Sequence, residues 1–293
     1  MRVATQTRIR GAGRVRAAAL AVLAIACLVT ACRREDQAPP EPKVPAGSAG
    51  EILSRAIDAA GGWQRWLSVR DVTFVSTFVL YDPAGRVTNE TIGVHRSPLH
   101  TTPRARFESL GLPEPVTIGF DGAETWMLRG GQAVDGGDRL LLARFNMVSD
   151  LFWFSMPFNL AEIPATITDL GDEETHEGRW HRLKAVLDDG APEAPGDWHV
   201  LYIDTRTGLI DHIFAHVTAE FLEHRLWVGK WLEYRDWNGL RKERRRQFFP
   251  ADPEGRIAGP LIAERLVEDV RFNESLSDEL FRKPASAKRG QPA

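Results

Sequence analysis

The spacing of hydrophobic residues changes period along the chain. Ile52, Leu53, Ala56, Ile57 and Ala60 recur at helical intervals and share one face. Gly61-Gly62 ends that helix, and Trp63 and Trp66 just beyond it are placed to pin it to a sheet. From Val72 the period drops to two. Val72, Phe74, Phe78 and Leu80 alternate with Thr73, Val75, Thr77 and Val79, which predicts a strand over 72–80. Asp82-Pro83-Ala84-Gly85 reads as a turn into a polar strand over 86–96, and further strands follow at 104–110, 116–120 and 125–128. A helix is predicted from Asp138, as its cap, to Trp153, with Leu140, Leu141, Leu142, Phe145, Val148, Leu151 and Phe152 as its apolar positions. Phe154, Pro157 and Phe158 fall in the loop after it. Strands return at 179–187, 198–204, 209–221, 225–237 and 240–249, and Trp237-Asn238-Gly239-Leu240 is a type I′ hairpin signal. A strand over 266–272 and a short helix over 277–281 end the pattern. The fold class predicted is mainly β (α+β): a curved antiparallel sheet or incomplete β-barrel, with short helices as a lid.

Composition narrows the setting. The chain has 293 residues, 43% hydrophobic and 26% charged, which excludes a fibrous or wholly disordered protein. Its two cysteines, Cys27 and Cys32, both precede the patterned region. That placement excludes a disulfide-stapled body, a cysteine-ligated metal and a cysteine nucleophile. Residues 1–31 read as a signal peptide: Arg2, Arg8, Arg10, Arg14 and Arg16, then an apolar run from Ala17 to Ala31 too short for a comfortable span. Leu28-Val29-Thr30-Ala31-Cys32 resembles the bacterial lipoprotein box, which makes Cys32 the lipidated first residue of the mature chain. The leader carries five arginines and no acid, so its removal takes the formal net charge from −3 to −8. No nucleic-acid partner is expected from that balance. Residues 32–50 then form a lipidated, Pro-rich tether, 51–284 the folded domain, and 285–293 a polar tail. Arg33 after the cysteine favours sorting to the outer membrane, with the domain facing the periplasm from the inner leaflet.

The ordered motifs resemble a family. They are Ala60-Gly61-Gly62-Trp63, Phe120-Asp121-Gly122 with Trp126, Ser155-Met156-Pro157-Phe158, Tyr202-Ile203-Asp204 with Thr207-Gly208-Leu209, and Phe272-Asn273 with Phe281 and Pro284. In order and spacing they are similar to bacterial envelope proteins with the fold of the periplasmic lipoprotein carrier and the outer-membrane lipoprotein receptor, and closest to an uncharacterised lipoprotein branch. The resemblance implies an incomplete barrel, a helical lid and an apolar cavity for acyl chains. Phe145, Phe152, Trp153, Phe154 and Phe158 are then the ligand-facing lid residues, with Trp126, Trp227 and Trp231 as further candidates. Trp227, Trp231 and Trp237 share one strand face if the alternation holds, and are read as core or as ligand-facing.

Catalytic chemistry is not signalled. The chain has no Gly-x-Ser-x-Gly, His-Glu-x-x-His, P-loop or dinucleotide motif, and no cofactor is expected. His212 and His216 lie four apart, about 13 Å along a strand, too far to hold one ion. Asp121 and Asp204 read as turn caps. Arg241 to Arg246 (Arg-Lys-Glu-Arg-Arg-Arg) reads as a solvated outer strand, with a basic stripe for phosphate head groups as the alternative. Three functions remain: a non-catalytic lipoprotein that binds a lipid or acyl chain, an assembly lipoprotein that docks another envelope protein on its sheet edge, and an envelope hydrolase.

Overall fold

The computed structural model describes residues 41–134, 136–189, 196–218 and 226–285. The described strands form one antiparallel sheet of 13 strands, curved but not closed. In chain order they are β1 (Asp71–Tyr81), β2 (Val87–Pro98), β3 (Ala105–Ser109), β4 (Val116–Phe120), β5 (Thr125–Arg129), β6 (Gln132–Ala133), β7 (Ala165–Glu174), β8 (Arg179–Leu187), β9 (Trp198–Asp204), β10 (Ile210–His216), β11 (Leu226–Trp237), β12 (Leu240–Pro250) and β13 (Ala263–Phe272). The order across the sheet is β6-β5-β4-β3-β2-β1-β13-β12-β11-β10-β9-β8-β7. Two meanders therefore run outward from the centre, joined there by the pairing of β1 with β13.

That topology makes a lid necessary. β6 and β7 are the two outer edges, and the chain passes from one to the other through α3 (Gly137–Ser155) and a 3₁₀ turn over Phe158–Ala161. A single connection thus crosses from edge to edge, and its buried side chains show that it crosses the concave face. Ala143, Met147 and Val148 pack on Ala105, Phe107 and Phe120, whereas Phe152, Phe154, Met156 and Phe158 enter the main core. α1 (Ser48–Ala59) and α2 (Trp63–Leu67) fill the rest of that face, with Leu53, Ile57 and Trp66 fully enclosed. Each large apolar side chain buried in this way contributes about 1.5–3 kcal/mol.

β9 and β10, in the second meander, are buried on both faces. Leu201 and Ile203 of β9 and Ile213 and Ala215 of β10 join the main core. Their neighbours Val200, Tyr202 and Phe214 form a second layer on the outside with Trp180 and Val228. Gly61 locks the helices to the sheet. Its φ is +123°, and a Cβ there would lie 2.2 Å from the Gly239 carbonyl oxygen. Beside it, Arg241 N–H donates to the Ala60 carbonyl at 2.8 Å. The hairpin at 237–240 forms as expected, with both Asn238 and Gly239 at positive φ.

Several expectations are corrected. Asp138 does not cap α3: the cap is Gly136, without a side-chain hydrogen bond, and Asp138 sits in the first turn. β7, not expected from the pattern, alternates in burial only over 165–170 before its register with β8 shifts between Asp169 and Asp172. Ordered contacts begin before Glu51, since Lys43 N–H donates to the Ala161 carbonyl at 3.1 Å and Val44 packs on the core. The expected strand over 209–221 ends at His216, and residues 219–225 lie outside those described. The charged segment Arg241–Arg246 is not an outer strand. It belongs to β12, between β11 and β13, with Lys242, Glu243 and Arg246 buried.

Candidate functional site beneath the lid helix

The site is the concave face under the second half of α3 and the turn after it. Ring contacts dominate. Phe154 stacks on Phe74 with centroids 5.2 Å apart, Phe74 on His95 at 4.8 Å, and Phe158 on Trp66 at 4.7 Å. Phe152 and Trp153 both lie against His199, and Trp153 meets Trp231 and Phe248 edge-on at 6.0 Å each. Among the described residues these aromatic side chains pack on one another across the concave face, so a guest bound among them must displace them.

The expected site residues divide by face. Phe152, Trp153, Phe154, Phe158 and Trp231 converge under the lid. Trp227, four residues before Trp231 on the same strand, is half-buried and pairs with Ala215 of that face. Phe145 is half-buried in the first half of α3. Trp126 belongs elsewhere. Phe107, Ile118 and Met127 share the face toward α3, and Trp126, next to Met127, points the opposite way. There it packs on Gly119, where a Cβ would lie 2.2 Å from its ring, and its Nε1–H donates to the Phe281 carbonyl at 2.8 Å. Cys32 lies outside the described residues. On β11 the expected alternation fails as well: Trp231 and Tyr234 both pack on the main core, because Glu233 between them adopts a φ of +56°.

A buried polar group crosses this aromatic floor. Asp150 of α3 forms an ion pair with Arg265 of β13, Oδ2 to Nη1 at 2.8 Å. Arg265 also donates to Ser76 Oγ at 3.0 Å, and Ser76 meets His95 Nε2 at 2.8 Å. Lys242 donates from Nζ to the Met156 carbonyl, fixing the end of α3 to β12. Arg246 is 1% exposed, with Glu243 Oε1 at 3.1 Å from its Nε. That oxygen lies off the N–H direction, so the contact is an ion pair and not a hydrogen bond.

Burial sets the ionisation here. It drives the His95 imidazole well below its ordinary value, helped by the charges of Arg265 and Arg246. It lowers His199 to about 3, so both rings are neutral. Burial raises Asp150 against the opposing pull of Arg265 and Arg246. Lys242 falls to about 8 and Arg265 to about 10, again through burial first. Sequence reasoning missed Asp150, Ser76, His95 and Arg265 entirely. The one available signal was Asp150, an acid in an otherwise apolar run.

Other candidates take structural roles. Asp121 accepts from the N–H groups of Ala123 and Glu124, and Asp204 from those of Arg206 and Thr207, as turn caps. His212 stacks on Tyr202 and bonds Asp211, and His216 stacks on Trp198. Among the described residues no cluster of His, Cys, Asp and Glu is set to hold a metal ion, and no helix is long and apolar enough to cross a membrane.

No family model and no curated protein matches the chain. Solved structures do resemble it. A DUF1329 family protein from Desulfovibrio piger superposes with a TM-score of 0.51 at 10% identity, over 79% of this chain and 96% of that one. A LolA superfamily protein from Nitrosomonas europaea gives 0.48 at 12% identity, over 81% and 99%. A putative outer membrane lipoprotein-sorting protein domain from Vibrio parahaemolyticus gives 0.46 at 12%, over 79% and 94%. The likeness to the Desulfovibrio protein shows a shared fold. Together with the unclosed antiparallel sheet, it bears out the half-barrel that the resemblance to lipoprotein carriers implied.

Proposed function

We propose that this protein is a non-catalytic envelope lipoprotein that binds a lipid or acyl chain on the concave face of its half-barrel. Cys32 is its lipidated anchor, and the domain faces the periplasm from the outer membrane. The observation that carries the reading is the edge-to-edge connection over the concave face. It seats Phe152, Trp153, Phe154 and Phe158 on the sheet by ring contacts that an acyl chain can replace at little loss of apolar contact. Its main polar ties to the sheet are the Asp150–Arg265 pair and the Lys242 donation to Met156. Docking of a protein on the open edge is less well supported. β7 carries Asp169, Asp172, Glu173 and Glu174, and its register shifts between Asp169 and Asp172, features that blunt strand addition.

The test is organic extraction and mass spectrometry of the full chain purified from the envelope in detergent, alongside Trp153→Glu. A stoichiometric apolar molecule is expected in the wild type, additional to the lipid on Cys32, and is lost in the variant. Its absence from the wild type, or its unchanged presence in Trp153→Glu, overturns the reading.

A further inference from the structure

The concave face holds more cationic donors than its acceptors can serve. Trp231 of β11 lies directly opposite Arg246 of β12, and Arg246 lies directly opposite Arg265 of β13. Directly opposed strand residues project to the same face, so the three side chains form one row. The row is enclosed, with Trp231 3%, Arg246 1% and Arg265 6% exposed. Like charges opposite each other on neighbouring strands repel, and burial removes the water that would screen them.

The acceptors in reach do not resolve this. Asp150 is taken by Arg265 at 2.8 Å, and Lys242 is turned to the Met156 carbonyl. Glu243 lies beside Arg246 without a hydrogen bond. Among the described residues, no acceptor meets any of the three guanidinium nitrogens of Arg246 or the Nε1–H of Trp231. Among the described residues, the three cations Lys242, Arg246 and Arg265 face two carboxylates, Asp150 and Glu243, one negative charge fewer than the positive ones. A buried arginine normally has its planar fork of donors filled by an oxyanion. A singly charged carboxylate matches both the missing charge and the missing acceptors.

The surroundings decide what carries that carboxylate. Trp153 lies 6.0 Å from Trp231 and from Phe248, and Trp227 stands about 13 Å further along the same face of β11. An apolar tail therefore has an aromatic path leading away from the donors. We propose that Arg246 and Trp231, with Arg265 alongside, receive the carboxylate of a long-chain fatty acid whose tail lies against Trp153 beneath the lid. This deepens the lipid-binding function proposed above and rests on it.

Native mass spectrometry of the full chain released from detergent micelles tests the head-group assignment, titrating palmitic acid against methyl palmitate. The wild type is expected to bind the acid at least about tenfold more tightly than the ester. Arg246→Met, checked for folding by circular dichroism, is expected to bring the two within about twofold, and Arg246→Lys to restore part of the preference. Sodium acetate at the same concentration is expected not to compete. Equal binding of acid and ester by the wild type overturns the head-group assignment while leaving lipid binding intact, and needs no variant. A full acid preference in folded Arg246→Met removes Arg246 as the receptor, and equal competition by acetate removes the role of the tail. Binding of neither palmitoyl compound overturns this inference together with the proposed function.

Discussion

Replacing Asp150 by asparagine isolates the tie between lid and sheet. The substitution keeps the shape of the side chain and deletes its charge. In the native protein Asp150 Oδ2 is 2.8 Å from Arg265 Nη1, both groups are buried, and Arg246 stands across from Arg265. Without the carboxylate, two opposed guanidinium groups remain in the core with Glu243 as their nearest acid. Breaking a buried pair from one side costs about 3–5 kcal/mol, mostly through the charge left behind. The double variant Asp150→Leu with Arg265→Met removes both charges at similar volume and is expected to be neutral, or more stable by about 1–4 kcal/mol. Urea unfolding at neutral pH, followed by tryptophan fluorescence, measures both changes as midpoint shifts at constant slope. Amide exchange should rise first in the second half of α3, since that is where the tie is lost. The exposed Asp252–Arg256 pair serves as control, and Asp252→Asn should leave the midpoint almost unmoved. A loss of less than about 0.5 kcal/mol in Asp150→Asn, the range of an ordinary surface substitution, would refute the argument.

Three further outcomes follow from the same core. Phe154 is fully buried between Phe74 and the Lys242 ammonium, so Phe154→Ala should cost about 3–5 kcal/mol in a thermal or urea titration. Trp126→Phe keeps the ring over Gly119 but leaves the Phe281 carbonyl without its donor. A loss of about 1–3 kcal/mol is expected, with palmitate binding unchanged because Trp126 faces away from the lid. Acid should destabilise the fold through two histidines. His199, lowered to about 3, and His95, also lowered by burial, stay neutral in the native state, whereas the unfolded chain takes up protons from about 6.5 downward. Stability is therefore intact above 6.5 and is lost as the pH falls below it, by about 1.4 kcal/mol per pH unit for each ring. His199→Phe should flatten that slope in urea titrations across the range, and an unchanged slope would show that His199 is protonated in the native state.

Much of the architecture was legible as pattern. The alternation over 72–80 and the Asn238-Gly239 turn correspond to β1 and to the β11–β12 hairpin, because a half-buried strand and a type I′ turn each restrict residue choice locally. β7 was illegible because its alternation covers only 165–170, after which a register shift between Asp169 and Asp172 and the polar run to Glu174 break the period of two. The run Arg241–Arg246 misled for a different reason. Six charged residues read as a solvated strand, but β13 pairs alongside Arg245 and Arg246, and the segment after α3 packs on Lys242. Trp126 misled through its parity, since the side of a sheet that becomes the inside is settled by what packs on it.

The amino-acid sequence by itself determined most of the strands, the lid helix and the aromatic content of that helix, all of which depend on neighbours close in the chain. The placement of charge belonged to the tertiary structure. Asp150 lies nearly a hundred residues before Arg246 and Arg265, and their meeting depends on β12 pairing with β13 and on α3 crossing from one edge to the other. Electrostatic interaction depends on distance and on exclusion of water, and neither exists until those long-range pairings have formed.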